Sequence, residues 1–286
     1  MNTANMDAVK SVQFGQLPAI CLQAPDGAQA TVTLFGAHLV SWIPPGGSER
    51  LFCSTRSALD GSKAIRGGVP LIFPQFAARG DGMRHGFARV SNWRLVASGI
   101  EQDAVFAEFA LSSDYPLAAA WPHEFELRFR LALKANTLQL ALRVRNSGST
   151  AFSFAAALHT YFKVDAIAAV TIDGLDNTRY TDQTSQPPQS GLQSAQLLRC
   201  PDALDRIYHA TPGDLTLRTG TGTLHLQQQG FNDAVVWNPG AADAAALSDL
   251  ADQEFRQFIC VEPALIDPCR LEAGQEWLGT QRLQCD

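Results

Sequence analysis

Apolar and polar residues alternate with a period of two, and this is the feature that most constrains the fold of the chain. In the run EFELRFRLAL, every second residue from Phe125 to Leu133 is apolar. The pattern returns in TLQLALRVRN, from Leu138 to Val144, after a short break. Because successive side chains of a strand point to opposite faces, each run is typical of a half-buried strand. Together they predict a long hairpin whose other face carries Arg128, Arg130, Arg143 and Arg145.

Short runs of the same kind fill most of the remaining sequence. They are ATVTLF, WRLVAS, AVFAEFAL, FSFAAALHTYFKV, AVTIDGL, TLRTG, TLHLQQQ, AVVWN, QFICVE and WLGTQRLQ, mostly separated by turn-forming residues. Only the stretch 241–253 has helical composition, and we expect it to be an insertion at the edge of a sandwich. A chain of 286 residues, 46% of them hydrophobic, can bury a sizeable core. We therefore predict an all-β fold, a large antiparallel β-sandwich in a single domain over residues 1–286.

Charge and composition exclude several classes of partner. The net charge of −6 argues against nucleic-acid binding, which usually needs a basic surface. No signal peptide and no long apolar span is present, so we predict a cytoplasmic protein that does not bind a membrane. The six scattered cysteines are expected to be reduced thiols. No long apolar edge strand is evident, which favours a monomer.

The segment from Lys63 to Arg94, which we call the basic loop, departs from the strand pattern because glycines and prolines interrupt it. Its apolar residues predict an ordered loop, and long ordered loops in compact domains are frequently functional. Asp81 is the one acidic residue among six basic ones, Lys63, Arg66, Arg79, Arg84, Arg89 and Arg94. Guanidinium groups match phosphate oxygens, so the loop predicts a site for a small anion. Any one of these arginines alone could instead pair with a carboxylate or face water.

His159 is the histidine whose surroundings most favour chemistry. It follows the small apolar residues of AAALHTYF, where a predicted strand leaves the core. His123, His209 and His225 lie in polar or turn-like sequence, and His38 falls in an early predicted strand. A lone histidine on an apolar strand is more often a packed core residue than a catalyst, so its role depends on a partner.

Glu262 in FICVEP is the best candidate for that partner. Its carboxylate follows the apolar run 258–261 and precedes Pro263, which predicts partial burial at a strand end. Burial raises the pKa of a carboxylate towards the range in which it acts as a general base. An ordinary ion pair would explain the same glutamate, and the residues alone leave both interpretations open.

Motifs for cofactors are absent from the sequence. It contains no HxH, HExxH, calcium-loop or closely spaced cysteine pattern, so it predicts no metal site. The run IRGGVP lacks the GxxxxGK[ST] spacing of a nucleotide phosphate loop, and no GxSxG elbow of a serine hydrolase occurs. From its motifs we therefore expect no metal site and no nucleotide phosphate loop.

Six motifs follow one another along the chain: DGSKAIRGGVPLIFPQF, RHGFAR, LHTYFKV, LDRIY, VVWNP and VEP. Together they resemble those of the glucose-6-phosphate 1-epimerases, a branch of the aldose 1-epimerase or galactose mutarotase-like superfamily. The resemblance extends from residue 30 to residue 283 and leaves 183–200 and 240–253 without motif support. It implies the large antiparallel supersandwich of that superfamily, with an open concave face that binds the sugar and without a cofactor.

The resemblance also implies roles for individual residues. Glu262 would remove the proton of the anomeric hydroxyl while His159 protonates the ring oxygen. Arg66 and Arg89 would hold the 6-phosphate of a hexose, and Asp205 would accept hydrogen bonds from sugar hydroxyls. Further residues are implied near the substrate with less specific roles, namely Arg84, His85, Gln75 and Trp237, with Phe76 in the same loop. Arg84 stands where some members of the branch have glutamine.

Two other functions compete with a hexose-6-phosphate mutarotase. An aldose 1-epimerase for unphosphorylated sugars would not need the arginines of the basic loop. A non-catalytic carbohydrate-binding or sugar-phosphate-binding domain would not need both an acid and a base. The sequence does not indicate which hexose 6-phosphate is preferred.

Overall fold

Strands dominate the chain, as the period-two runs predict. The computed structural model describes residues 8–116, 121–200, 203–220 and 222–286. Among these residues, all pairs of named strands are antiparallel, which confirms the predicted all-β class. No helix in the described part of the chain is long and apolar enough to cross a bilayer.

The strands form three sheets. The N-terminal sheet has the order β1-β2-β3-β4, with β1 Val9–Phe14, β2 Leu17–Gln23, β3 Gln29–Thr33 and β4 His38–Ile43. The eight-stranded sheet contains β5 Leu71–Ile72, β10 Phe152–Leu158, β11 Tyr161–Lys163, β13 Arg179–Asp182, β14 Gln189–Leu192, β16 Leu204–Tyr208, β19 Asp233–Asn238 and β20 Phe258–Leu271. The nine-stranded sheet contains β6 Arg94–Glu101, β7 Ala104–Ser112, β8 Phe125–Lys134, β9 Thr137–Asn146, β12 Thr171–Asp173, β15 Leu197–Arg199, β17 Asp214–Arg218, β18 Thr223–Gln229 and β21 Glu276–Cys285.

Strand order in the two large sheets does not follow the sequence. The eight-stranded sheet runs β14-β13-β16-β19-β20-β10-β5, and β11 pairs with the first part of β20. The nine-stranded sheet runs β15-β12-β17-β18-β21-β9-β8-β7-β6. Side chains from both sheets and from the N-terminal sheet form the main core, which includes Leu22, Phe129, Leu140, Phe154 and Val261. The fold is therefore the predicted sandwich, with a smaller sheet added to it.

The predicted hairpin is β8 and β9. Every alternate residue from Phe125 to Leu133 is at most 1% exposed and belongs to the main core. The arginines on the other face pair with carboxylates, as Arg128 does with Glu126 and Glu108. Alternation therefore specifies both faces of this hairpin.

The eight-stranded sheet also has two distinct faces. On β19, Ala234 and Val236 point into the main core, whereas Val235 and Trp237 point away from it. We call this second side the outer face. On β20 the same alternation places Cys260 on the outer face, in an apolar cluster separate from the main core. The period of two also places residue 262 on that face.

Two expectations about individual elements need correction. The stretch 241–253 is not a helix throughout, because the helix, α1, covers only Gly240–Ala244 and turns follow it. Helices this short have little stability of their own, so tertiary contacts decide the path of the segment. The run FSFAAALHTYFKV is not one strand either, since it divides into β10 and β11 with residues 159–160 between them.

Candidate active site

His159 and Glu262 lie side by side on the outer face. His159 is the first residue after β10, as predicted, and its Nδ1 is 3.2 Å from Oε1 of Glu262. His159 is 9% exposed and Glu262 only 1%. Neither Nδ1 of His159 nor Oε2 of Glu262 has a hydrogen-bond partner among the described residues. The contact between Nδ1 and Oε1 therefore has the distance but not the alignment of a hydrogen bond, and Oε2 is a buried oxygen that accepts none from the described chain.

Glu262 is not at a strand end, as the sequence suggested, but inside β20. The strand continues through Pro263 because its partner changes there from β11, opposite residues 258–260, to β10, opposite residues 264–271. The missing N–H of Pro263 falls at this change of partner. Glu262 is 1% exposed, so its burial is nearly complete rather than partial.

Burial also decides the protonation of the pair. It raises the pKa of Glu262 well above its usual range, and the nearby Asp205 carboxylate adds to this shift. It lowers the pKa of His159 well below its usual range, with further contributions from His85, Arg66 and Arg89. Both shifts favour the uncharged forms, a protonated Glu262 carboxyl group and a neutral His159 imidazole.

Arg66 approaches the same region from the basic loop. Its guanidinium makes a bidentate contact with Asp249, with Nε–Oδ1 at 3.2 Å and Nη2–Oδ2 at 3.1 Å. Its Nη1 donates to the Tyr161 hydroxyl at 3.0 Å. The Tyr161 ring stacks on the His159 imidazole, with centroids 4.9 Å apart and planes 9° apart. One chain of contacts thus joins a basic-loop arginine to the histidine of the pair.

The two glycines after Arg66 hold its backbone in place. A Cβ on Gly67 would lie 2.3 Å from the Phe52 carbonyl oxygen, and one on Gly68 would lie 2.2 Å from that of Leu39. The Gly67 carbonyl also contacts Nε2 of buried His38 at 2.7 Å. IRGGVP is therefore a close-packed turn that presents Arg66, rather than a nucleotide phosphate loop.

Arg89 and His85 bring two more donors to the site. Arg89 donates from Nη2 to the Arg84 carbonyl, but its buried Nε has no hydrogen-bond partner in the described residues. Burial lowers the pKa of Arg89 to about 10, which leaves it cationic at neutral pH. His85 Nδ1 accepts from the Ala77 amide at 3.3 Å, so the ring proton is on Nε2. Burial, then Arg89 and the other arginines, lower the pKa of His85 to about 3, and the ring is neutral.

Asp205 and Trp237 lie on the strands next to the pair, in a row of residues that crosses the outer face. Asp205 lies opposite Trp237, which lies opposite Cys260, which lies opposite Tyr161. Burial raises the pKa of Asp205 to about 6, against the effect of the exposed Arg84. Trp237 makes edge contacts with the rings of His159 and Tyr161, at centroid distances of 5.9 and 6.0 Å. Its ring therefore supports the histidine from one side.

Comparison with known proteins gives the family. The sequence profile of aldose 1-epimerase matches residues 18–284, which is most of the chain. The chain belongs to the aldose 1-epimerase family. A protein of Cenchrus ciliaris, provisionally named glucose-6-phosphate 1-epimerase, is 33% identical over 277 residues, covering 92% of this chain and 83% of its own. An Escherichia coli protein with the same provisional name is 33% identical over 259 residues, covering 88% of this chain and 84% of its own.

A solved structure agrees with this membership. The crystal structure of a provisionally assigned mutarotase from Salmonella typhimurium superposes with a TM-score of 0.90 and is 29% identical. The match covers 98% of this chain and 94% of that one. Epimerases are isomerases, so the predicted fold, family and enzyme class are all confirmed.

Three other residues of the basic loop, Gln75, Phe76 and Arg94, make contacts elsewhere than at the His159–Glu262 pair in this member of the aldose 1-epimerase family. Gln75 uses its amide within the basic loop, accepting from the Gly82 amide at 2.8 Å and donating to the Ala77 and Gly82 carbonyls. Phe76 packs edge-on against His85 at 5.3 Å. Arg94 lies on β6, the edge strand of the nine-stranded sheet. The amide of Gln75 and the ring of Phe76 therefore both contact other residues of the basic loop.

Gln75 also lines a separate cleft of about 480 Å³ with Arg79, Phe87, Trp121 and Phe154. Its lining contains neither His159 nor Glu262, so the cleft is distinct from the candidate active site.

Sequence reasoning missed three residues that the fold brings to the pair. Tyr161 and Cys260 each stand two positions from a predicted catalytic residue, so a period of two would have placed them on the same face. Asp249 had no such signal, because it lies in the segment without motif support. Its role depends on turns that composition does not specify.

Proposed function

We propose that this chain is a hexose-6-phosphate mutarotase that interconverts the α and β anomers of D-glucose 6-phosphate. The observation that carries the proposal is the buried contact between Glu262 and His159, flanked by the guanidinium groups of Arg66 and Arg89. An acid and a base in contact suit a reaction that consists of proton transfers. Arginines beside them suit a phosphorylated sugar.

The two catalytic groups exchange one proton with the sugar. Ionised Glu262 takes the proton of the C1 hydroxyl as protonated His159 gives its proton to the ring oxygen. The bond from C1 to that oxygen breaks, and the open-chain aldehyde leaves Glu262 protonated and His159 neutral. Rotation about the C1–C2 bond and reversal of both transfers close the ring as the other anomer. The pair then carries the same charges as at the start.

The closeness of the two side chains explains how ionised Glu262 and protonated His159, the form that starts the reaction, arise. Burial favours protonated Glu262 with neutral His159. His159 Nδ1 and Glu262 Oε1 are 3.2 Å apart but not aligned as a hydrogen bond, so a small rotation of one side chain precedes the transfer of that proton, which then gives the ionised pair without exchange with solvent. The total charge is unchanged, so burial opposes this transfer far less than it opposes ionising either group alone.

Recognition of the sugar phosphate falls to the residues around the pair. We assign the 6-phosphate to Arg89, whose buried Nε has no partner in the described chain, and to Arg66, which Asp249 and Tyr161 hold beside the pair, with exposed Arg84 at the rim. Asp205 accepts hydrogen bonds from sugar hydroxyls, and His85 donates one from Nε2. Holding a phosphate remote from C1 orients the reacting end of the sugar.

Anomer exchange measured by NMR tests this proposal. We expect exchange of glucose 6-phosphate well above the buffer rate and much slower exchange of free glucose. Glu262→Gln and His159→Asn should each lower the rate about 10²–10⁴-fold with the fold intact, because each removes one positioned proton transfer. Arg66→Ala should raise KM for the phosphorylated sugar and leave that for glucose unchanged.

Three outcomes would count against parts of the proposal. Equal exchange of glucose and glucose 6-phosphate would favour an epimerase of unphosphorylated sugars. No exchange of either sugar, with retained binding, would indicate a non-catalytic domain. Near-normal exchange in the Glu262→Gln or His159→Asn variant would remove that residue from its role.

A further inference from the structure

A third potential metal ligand stands beside the catalytic pair. The nitrogen of His159, the sulfur of Cys260 and a carboxylate oxygen of Glu262 all lie within 4.8 Å of one another, and all three residues are buried. Cys260 and Glu262 are two positions apart on β20, which places them on one face. His159 directly follows β10, which pairs with β20 but lies about a hundred residues before it in the sequence. A search of the sequence for metal motifs could therefore not find this group.

This arrangement fits a thiophilic divalent cation. Imidazole, thiolate and carboxylate are all ligands that Zn²⁺ takes, at about 2.0–2.3 Å, and three protein ligands leave a fourth position for water. The 3.2 Å separation of His159 Nδ1 and Glu262 Oε1 is close to the spacing of two ligands on a tetrahedral ion. Both His159 Nδ1 and Glu262 Oε2 lack hydrogen-bond partners in the described chain, so they are available to it.

We propose that Zn²⁺ binds to His159, Cys260 and Glu262 and excludes the sugar from the catalytic pair. Binding forms bonds to nitrogen, sulfur and oxygen and releases the Cys260 thiol proton and the Glu262 carboxyl proton to solvent. Two ligand charges then balance those of the ion, which matters because Arg66 and Arg89 nearby repel a cation. The inhibition depends on the proposed mutarotase function, but the binding does not.

The ligand types of this site also predict that Mg²⁺ should not bind there. Mg²⁺ prefers an octahedral set of oxygen ligands and should leave the enzyme active at concentrations at which Zn²⁺ inhibits. Protons compete for the same three ligands, so zinc binding weakens as the pH falls.

Cobalt absorption tests the site without relying on turnover. Co²⁺ occupies zinc sites, and a thiolate ligand gives it charge-transfer absorption in the near ultraviolet. We expect this absorption in the wild-type protein and its loss in Cys260→Ala and Cys260→Ser. Partly exposed Cys21, on β2, supplies the matched control, because Cys21→Ser should keep the absorption. Absence of the absorption in the wild type, or its persistence in both Cys260 variants, would overturn the proposal.

His159→Asn and Glu262→Gln give a second route if changes at Cys260 disturb folding. Each removes one ligand, keeps the thiol, and should weaken Co²⁺ binding at least about tenfold. Zinc inhibition of anomer exchange is measured separately, and Cys260→Ser should raise the inhibitory concentration at least about tenfold. Cobalt bound through Cys260 in a protein without exchange activity would sustain the site and refute only the proposed function. Binding unchanged in all four variants would refute the site.

Discussion

Asp205 imposes a stability cost on the folded protein at neutral pH. Its pKa is raised from 3.8 to about 6, first by burial. Between these values the folded chain binds more protons than the unfolded chain, so the free energy of unfolding falls as the pH rises through this window. Above this pH window, the buried ionised carboxylate lowers the free energy of unfolding. Such a loss of stability is common where a side chain is retained to bind a ligand.

Replacing Asp205 with asparagine should therefore stabilise the protein while impairing turnover. We expect the free energy of unfolding at neutral pH to rise by about 1–3 kcal/mol, and the gain to shrink towards about pH 4, where the folded aspartate is already protonated. Urea unfolding at the two pH values checks this. A gain of the same size at both would show that ionisation is not its source.

Asp249 is expected to act on substrate binding through Arg66. Asp249→Ala removes the bidentate contact that orients the guanidinium, so KM for glucose 6-phosphate should rise about 2–10-fold with little change in kcat. Asp249→Glu should restore part of the loss. Asp252→Asn, at an exposed position in the same segment, is the control and should match the wild type. A fall in kcat with KM unchanged would place Asp249 in another role.

The place of the proposed catalytic pair was predictable from the sequence where a strand pattern fixed the face of each residue. His159 and Glu262 follow apolar runs, and the fold brings them together as expected. The nearly complete burial of Glu262 was not predictable, because the side chains that surround it come from distant parts of the chain, as His159 does. The contacts of the Gln75 amide within its own loop were not predictable either, because composition does not specify which residues of a loop pair; its position beside the substrate stays a prediction.

At the scale of elements, long alternating runs were the most predictable. β8 and β9 each show a complete alternation over ten residues, and few other structures satisfy it. The run FSFAAALHTYFKV was the exception. Its sequence pattern does not show that the backbone leaves the strand at residues 159–160, between β10 and β11. There the His159 amide donates to the Pro70 carbonyl at 3.1 Å, a contact with a distant part of the chain.

The β8–β9 hairpin should carry stability rather than activity. Leu140→Ala opens a cavity at a fully buried position of β9 and should lower the free energy of unfolding by about 2–5 kcal/mol. Anomer exchange per folded molecule should stay near the wild-type rate. Arg143→Gln, on the exposed face of the same strand, should cost less than about 1 kcal/mol. Denaturant unfolding of both variants measures the difference, and equal losses would contradict the assignment of the two faces.

At the scale of the whole molecule, the sequence predicted the sandwich but not its strand order. Patterning specifies which face of a strand is buried, whereas pairing between distant strands depends on packing that no local pattern records. The eight-stranded sheet places β16, β19, β20 and β10 side by side from widely separated parts of the chain. The candidate active site extends over these strands, so no short segment contains it.

The position of β21 has a consequence for synthesis of the protein. β21 pairs with β9 on one side and β18 on the other, at the middle of the nine-stranded sheet. A ribosome makes β21 after both β9 and β18, so until β21 emerges these two strands have open edges with unpaired backbone groups. Such edges are prone to pair with other chains. The nascent chain is therefore prone to aggregate between the synthesis of β18 and that of β21, and we expect chaperones to matter during that interval.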